Sequence, residues 1–227
     1  MLYLYAIINR PTTPLPPLHG FDEQAVYCSV CGNVAALYSH YHGPAPRTEA
    51  AQLWRHEAVV EALLDRHSVL PVRYGTLLAD EAALTMLLRE RHDSFMAGLA
   101  RVAGRVEVSV RVLWPAAAAV SAPRPATAEN GRAYLARRMA EEQAREARLR
   151  EAHKRADALH AALEHLAVAH VRQVLPHERV LLSAAYLIPR ESLDTFRAAV
   201  AALGQANPDV HLLCTGPWPA YHFVHGE

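Results

Sequence analysis

The residues of this chain that could do chemistry are three cysteines, fourteen histidines and scattered carboxylates. Cys28-Ser29-Val30-Cys31 has the spacing of half a zinc site or of a redox pair. No second pair of that kind follows, and Cys214 lies far away in sequence. His40 and His42 lie just beyond the cysteines, but placing them on the same metal requires a specific fold-back. The pair therefore reads as ordinary cysteines of a β-hairpin, and no metal ligand is assigned. His153 and His160, seven residues apart, fall on one helical face, a spacing that matters only for a protonated or partner-bound state. The sequence contains no HExxH, P-loop, GxSxG elbow or GxGxxG fingerprint. No carboxylate pair stands out as poised, so no catalytic residue and no cofactor is assigned, and binding is favoured over catalysis.

The bulk properties bound the rest. The chain has 227 residues, 52% of them hydrophobic and 20% charged, enough to bury a core. The 23 basic and 23 acidic residues balance, which argues against nucleic acid as a partner, since phosphate binding needs net positive charge. No apolar run approaches the roughly 20 residues that span a bilayer, so no membrane partner is expected. Met1 to Ile8 is apolar but lacks a basic leader, which argues against a signal peptide. Few cysteines, odd in number, fit a reduced cytoplasmic setting.

The elements that must position any site follow from periodicity. Leu2 to Ile8 is rich in β-formers and predicts a buried first strand. Arg10 to Gly20 holds four prolines and predicts a loop. Val26–Cys28 and Val34–Tyr38 flank Gly32-Asn33, the composition of a tight hairpin. A helix comes next, with Thr48 as its cap and apolar residues from Leu53 to Leu63. Ser68 to Gly75 predicts a strand ending in a glycine turn, and Pro71 places it at a sheet edge or bulge. Two helices, Asp80 to Glu90 and about Asp93 to Val102, lead to Val106–Val112, where valines face one side and polar residues the other.

Residues 115–128, rich in alanine and proline, read as a linker between an N-terminal domain (1–114) and a C-terminal one (129–227). The second domain opens with a long charged helix, Glu129 to about Leu166. Leu149, Ala152, Ala156, Leu159, Leu163 and Leu166 form a heptad seam along it. That seam must bury against the helix's own strands, a partner helix or another copy. Strands Val168–Val174 and Val180–Ile188, a helix from Glu191 to Leu203 and a strand from Val210 to Cys214 complete two α+β domains.

Two segments resemble signatures of the gas vesicle F/L family. One is Val69-Leu70-Pro71-Val72-Arg73-Tyr74-Gly75-Thr76, preceded by the helix with His56-Glu57-Ala58-Val59-Val60-Glu61. The other is Leu182 to Leu187 followed by Thr215-Gly216-Pro217-Trp218-Pro219-Ala220-Tyr221-His222-Phe223. The Tyr3-Leu4-Tyr5 strand and the Val106–Val112 strand fit the same pattern in the same order; the Cys28/Cys31 pair does not belong to it. The resemblance implies two α+β domains, the first with a ferredoxin-like sheet. It also implies a non-enzymatic, cytoplasmic accessory protein of gas vesicle assembly. Its implied partners are the hydrophobic shell protein and other accessory proteins, and it could remain as a minor vesicle component. A ferredoxin-like small-ligand-binding protein or enzyme is the alternative.

Within these motifs Arg73 is either a partner-binding anchor or, the favoured reading, an internal arginine paired with Glu107 or Glu61. Trp218 and Tyr221, stiffened by Pro217 and Pro219, are either recognition aromatics or, as favoured, core residues. Oligomeric state is left open.

Overall fold

The computed structural model describes residues 1–43, 46, 49–114, 131–175 and 180–224, less the side chain of Arg148. The expected Thr48 cap and the 115–128 linker fall outside them. The strands are β1 (Leu2–Asn9), β2 (Tyr27–Cys31), β3 (Val34–His40), β4 (Val69–Pro71), β5 (Leu77–Leu78), β6 (Arg105–Leu113), β7 (Ala169–Val174), β8 (Val180–Pro189) and β9 (His211–Trp218). The helices are α1 (Ala50–Leu64), α2 (Glu81–Glu90), α3 (His92–Val102), α4 (Gly131–Glu164) and α5 (Leu193–Ala206). The chain divides into two compact units. One comprises Met1–Glu107 with Pro217–Glu227, the other Val108–Gly216.

In the first unit the sheet runs β2-β3-β1-β4, with β5 also pairing with β1. β1 is antiparallel to β3 and to β4, so the β3-α1-β4 crossover splits around it. The Arg10–Gly20 loop stands where a crossover helix would otherwise lie, because its prolines cannot donate to a helical ladder. Gly32 turns the β2–β3 hairpin at φ 58°. The register slips between Leu4 and Ala6, leaving Tyr5 as a bulge opposite β3. The bulge resets the strand's alternation, so Tyr3, Tyr5, Ala6 and Ile8 share one core with Val59, Val60 and Leu63 of α1. α2 and α3 pack on the same sheet through strands β1 to β4. The Asp80 carboxylate caps α2 by accepting the Ala83 amide at 2.8 Å.

The second unit follows β6-α4-β7-β8-α5-β9 with sheet order β7-β8-β6-β9. This is the β-α-β-β-α-β connectivity of a ferredoxin-like fold, and its sheet places the hairpin outermost, just as the first unit's does. Val106, Val108, Val110 and Val112 are all buried, as the alternation of that strand predicts. The heptad seam also buries. Ala152, Ala156, Leu159 and Leu163 are at most 3% exposed, and α4 packs on β7, β8 and α5. The seam thus serves the helix's own unit.

Several boundaries differ from the sequence reading. Pro71 does sit on an edge strand, but that strand is only three residues long. The Gly216-Pro217-Trp218 run is the end of β9 rather than a tail. Pro217 onward groups with the first unit, whereas the sequence assigned all of 129–227 to the second domain. Periodicity finds strands, but it does not say which core a later segment joins.

Candidate functional site

The Leu70–Thr76 motif forms the interrupted edge of the first sheet. β4 and β5 both pair with β1; between them the chain leaves the ladder after the Val72 amide donates to Tyr5 O and rejoins where Leu4 N donates to Thr76 O. A chain of hydrogen bonds pins this excursion from beneath. The Gly75 amide donates to the Tyr3 hydroxyl at 3.0 Å, and Tyr3 Oη lies 3.0 Å from His56 Nδ1. His56 Nε2 lies 3.1 Å from the Val72 carbonyl. Because a carbonyl only accepts, Nε2 carries the proton and Tyr3 donates to Nδ1. Every group in the relay is then satisfied with a neutral imidazole. Burial lowers the His56 pKa from 6.5 to about 4 and pushes the Tyr3 phenol up, which holds both rings uncharged.

Around this relay stands an aromatic cluster. Tyr3 meets Phe21 edge-on at 4.4 Å and Tyr5 at 4.9 Å between centroids. Phe21 comes from the proline-rich connection, and its amide donates to the Tyr5 hydroxyl at 3.0 Å. That hydroxyl also bonds Ser39 Oγ at 2.9 Å. Tyr74 donates to Gln52 Oε1 of α1 at 3.0 Å, and Gly75 turns at φ 84°, a conformation glycine adopts without strain. The Thr76 hydroxyl donates to Arg73 O at 2.7 Å.

The motif residues therefore part company. Leu70 and Pro71 are buried, Tyr74, Gly75 and Thr76 are half-buried, and Arg73 is exposed. The expected internal pairing of Arg73 with Glu107 or Glu61 is overturned, since Arg73 and Glu61 are both exposed. Glu107, 2% exposed, accepts the His222 amide at 2.9 Å and His222 Nδ1 at 2.7 Å. Glu107 is thus the inner carboxylate that the sequence reading expected, but with a different partner. The His222 bonds make its burial tolerable.

In the second motif the Gly216 carbonyl accepts from Arg197 at 2.6 Å. Pro217, Trp218 and Tyr221 are half-buried and Pro219 is buried. Burial raises the Glu57 carboxyl. Cys28 and Cys31 lie on one strand, β2, three residues apart, so their side chains leave opposite faces. Burial pushes the Cys28 thiol up, away from thiolate chemistry.

His160 and His153 do not act together, because His153 is exposed and His160 is 3% exposed. His160 Nδ1 instead meets the Tyr186 hydroxyl at 2.8 Å. Sequence reasoning named His56 and His222 only inside the family motifs and His160 only beside His153, and gave none of them the partner it has. The one available signal was that each histidine lies close to an apolar run.

Among the described residues, no helix is long and apolar enough to cross a membrane. Two antiparallel sheets with helices packed on them, one sheet carrying a pinned edge, define a protein of the α+β class. The family model described as gas vesicle synthesis protein GvpL/GvpF matches residues 1–225, and the chain belongs to that family. Gas vesicle protein L of a Streptomyces species is 33% identical over 180 residues, covering 74% of this chain and 67% of the relative. Gas vesicle protein F2 of Halobacterium salinarum is 26% identical and covers 98% of this chain and 91% of its own. The crystal structure of GvpF from an Anabaena species superposes with a TM-score of 0.82 at 23% identity, covering 100% of this chain and 96% of its own. GvpF from Microcystis aeruginosa gives 0.79 at 23% identity, covering 99% and 98%. These two likenesses establish a common fold.

Proposed function

We propose that this chain is a cytoplasmic, non-enzymatic accessory protein of gas vesicle assembly that binds the hydrophobic shell protein and other accessory proteins. The observation that carries this reading is the GvpL/GvpF family match along residues 1–225. Shielding an apolar subunit until it joins the growing shell suppresses off-pathway association. Exposed apolar side chains suit such shielding. Trp54 on α1 is 69% exposed, and Leu135 and Met139 near the start of α4 are 60% and 64% exposed.

Within the two motifs, Arg73 is the favoured partner-contact candidate. It stands exposed on a backbone excursion held rigid by the His56–Tyr3 relay, so little entropy is lost when a partner engages its guanidinium. Leu70, Pro71, Tyr74, Gly75 and Thr76 shape and support that excursion. Gly216, Pro217, Trp218, Pro219 and Tyr221 take structural roles.

Co-expression with gas vesicle proteins and affinity capture on this chain tests the reading. Wild type captures the shell protein, Arg73→Ala captures less while remaining folded, and Trp218→Ala loses capture only as far as it loses fold. A folded wild-type chain that captures neither shell nor accessory protein overturns the proposal in favour of a ligand-binding or enzymatic role.

A further inference from the structure

The end of α4 and the edge strand β7 bring together a group of side chains that the assembly role does not use. His160 and Glu164 are one helical turn apart on α4, and His170 stands on β7 directly opposite Tyr186 of β8. Cross-strand partners project from the same face of a sheet, so His170 and Tyr186 stand side by side. The His160 and His170 ring centroids are 4.4 Å apart. One ligand atom from each of His160, Glu164 and His170 lies within 4.8 Å of the others.

The buried member of the group is incompletely satisfied. Nδ1 of His160 is held by the Tyr186 hydroxyl at 2.8 Å, while the buried Nε2 makes no hydrogen bond. It points toward Glu164, whose Oε2 lies 3.2 Å away without the alignment of a hydrogen bond. An orphaned nitrogen on a side chain this buried costs stability unless something occupies its lone pair. The nearby cation Arg172 is engaged by Asp157 and so leaves the carboxylate of Glu164 to another partner.

We propose that His160, Glu164 and His170 form a binding site for a borderline transition-metal dication of the zinc class. The donor set of two imidazoles and one carboxylate suits that class. Nε2 of His160 supplies its lone pair, with Nδ1–H donating to the Tyr186 oxygen and fixing the ring, the usual outer support of a metal-bound histidine. Glu164 supplies the anionic ligand, and His170 closes the set from the adjacent strand. Three protein ligands leave a fourth position for water or for a donor from a partner.

Zinc titration of the full chain by calorimetry tests the site, with cobalt absorption read in parallel. One equivalent binds to the wild type, and the cobalt spectrum lacks the charge-transfer band of a thiolate ligand. Glu164→Gln and His170→Ala each weaken binding by about tenfold or more. Both positions are exposed, so the far-ultraviolet circular dichroism of the metal-free variants matches the wild type. Cys28→Ser combined with Cys31→Ser leaves the affinity unchanged. Failure of the wild type to bind zinc, binding that survives both His170→Ala and Glu164→Gln, or loss of binding in the cysteine variant overturns the proposal. Shell-protein capture does not depend on the outcome.

Discussion

Each unit of this protein carries a helix histidine bonded to a strand tyrosine, and the two pairs differ in how completely they are closed. In the first, His56 uses both ring nitrogens, on Tyr3 and on the Val72 carbonyl. The tyrosine passes the connection on to the Gly75 amide. In the second, His160 uses one nitrogen on Tyr186 and leaves the other without a hydrogen bond. Similar chemistry in two sheets thus yields a structural pin in one unit and an open donor in the other. The difference lies in the strand to which each helix leads. After α1 the chain returns as a short edge strand whose excursion needs holding; after α4 it returns as a full strand that brings a second histidine.

The sharpest way to break this comparison is to remove each histidine in turn. His56→Ala leaves the Val72 carbonyl and the Tyr3 hydroxyl short of partners and opens a cavity, for a cost of about 3–5 kcal/mol in urea unfolding. His160→Ala removes one satisfied bond and one orphan, and costs distinctly less in metal-free protein. Equal losses would mean that closure of the ring does not matter.

Acid probes the same contrast from the proton's side. The His56 pKa is depressed from 6.5 to about 4 in the folded protein, so the unfolded chain takes up the proton first. The contribution of the neutral ring is complete above about pH 6.5 and declines as pH falls, until both states are protonated below about pH 4. The total loss is about 3 kcal/mol. His67 and His160 are shifted in the same direction, chiefly by burial, and steepen the slope. Unfolding free energies measured between pH 7 and pH 4 check this, and a flat profile would show that the His56 ring is not held neutral.

The smallest effect belongs to the turn. An added Cβ at Gly75 meets no atom within 4 Å, yet φ is 84°. Gly75→Ala therefore costs about 1 kcal/mol from backbone strain alone, and thermal melting would reveal it. A much larger loss would indicate that the excursion tolerates no adjustment.

How far the sequence discloses all this depends on the range over which each feature is written. The valines of β6 announce themselves because strand alternation is a local property. The seam from Ala152 to Leu163 is equally readable, although its partner is not, since three different surfaces could bury it. Pro71 marks an edge because a missing donor excludes a central strand. The His56 relay is illegible, because Tyr3 lies 53 positions away and no periodic signal couples them. Glu107 misleads for a related reason. Its apolar surroundings suggest an inner carboxylate and Arg73 as its partner, whereas the bonds come from His222, 115 residues later. The Cys28/Cys31 pair shows the converse, a familiar metal spacing that the hairpin context already argued against and that the strand turns to opposite faces. The His160-x3-Glu164-x5-His170 spacing corresponds to no familiar motif, because its third member arrives through a strand pairing.

The division of the chain at Glu107 and Pro217 has a consequence for biosynthesis. The second unit is encoded as an uninterrupted insertion within the first, so the ribosome delivers it whole before the first unit receives its closing segment. Until His222 emerges, Glu107 lacks both hydrogen bonds it makes among the described residues, so a nascent or truncated chain carries a carboxylate short of the donors that the finished protein supplies. A product that stops short of residue 217 contains the whole of the second unit but lacks the closing segment of the first.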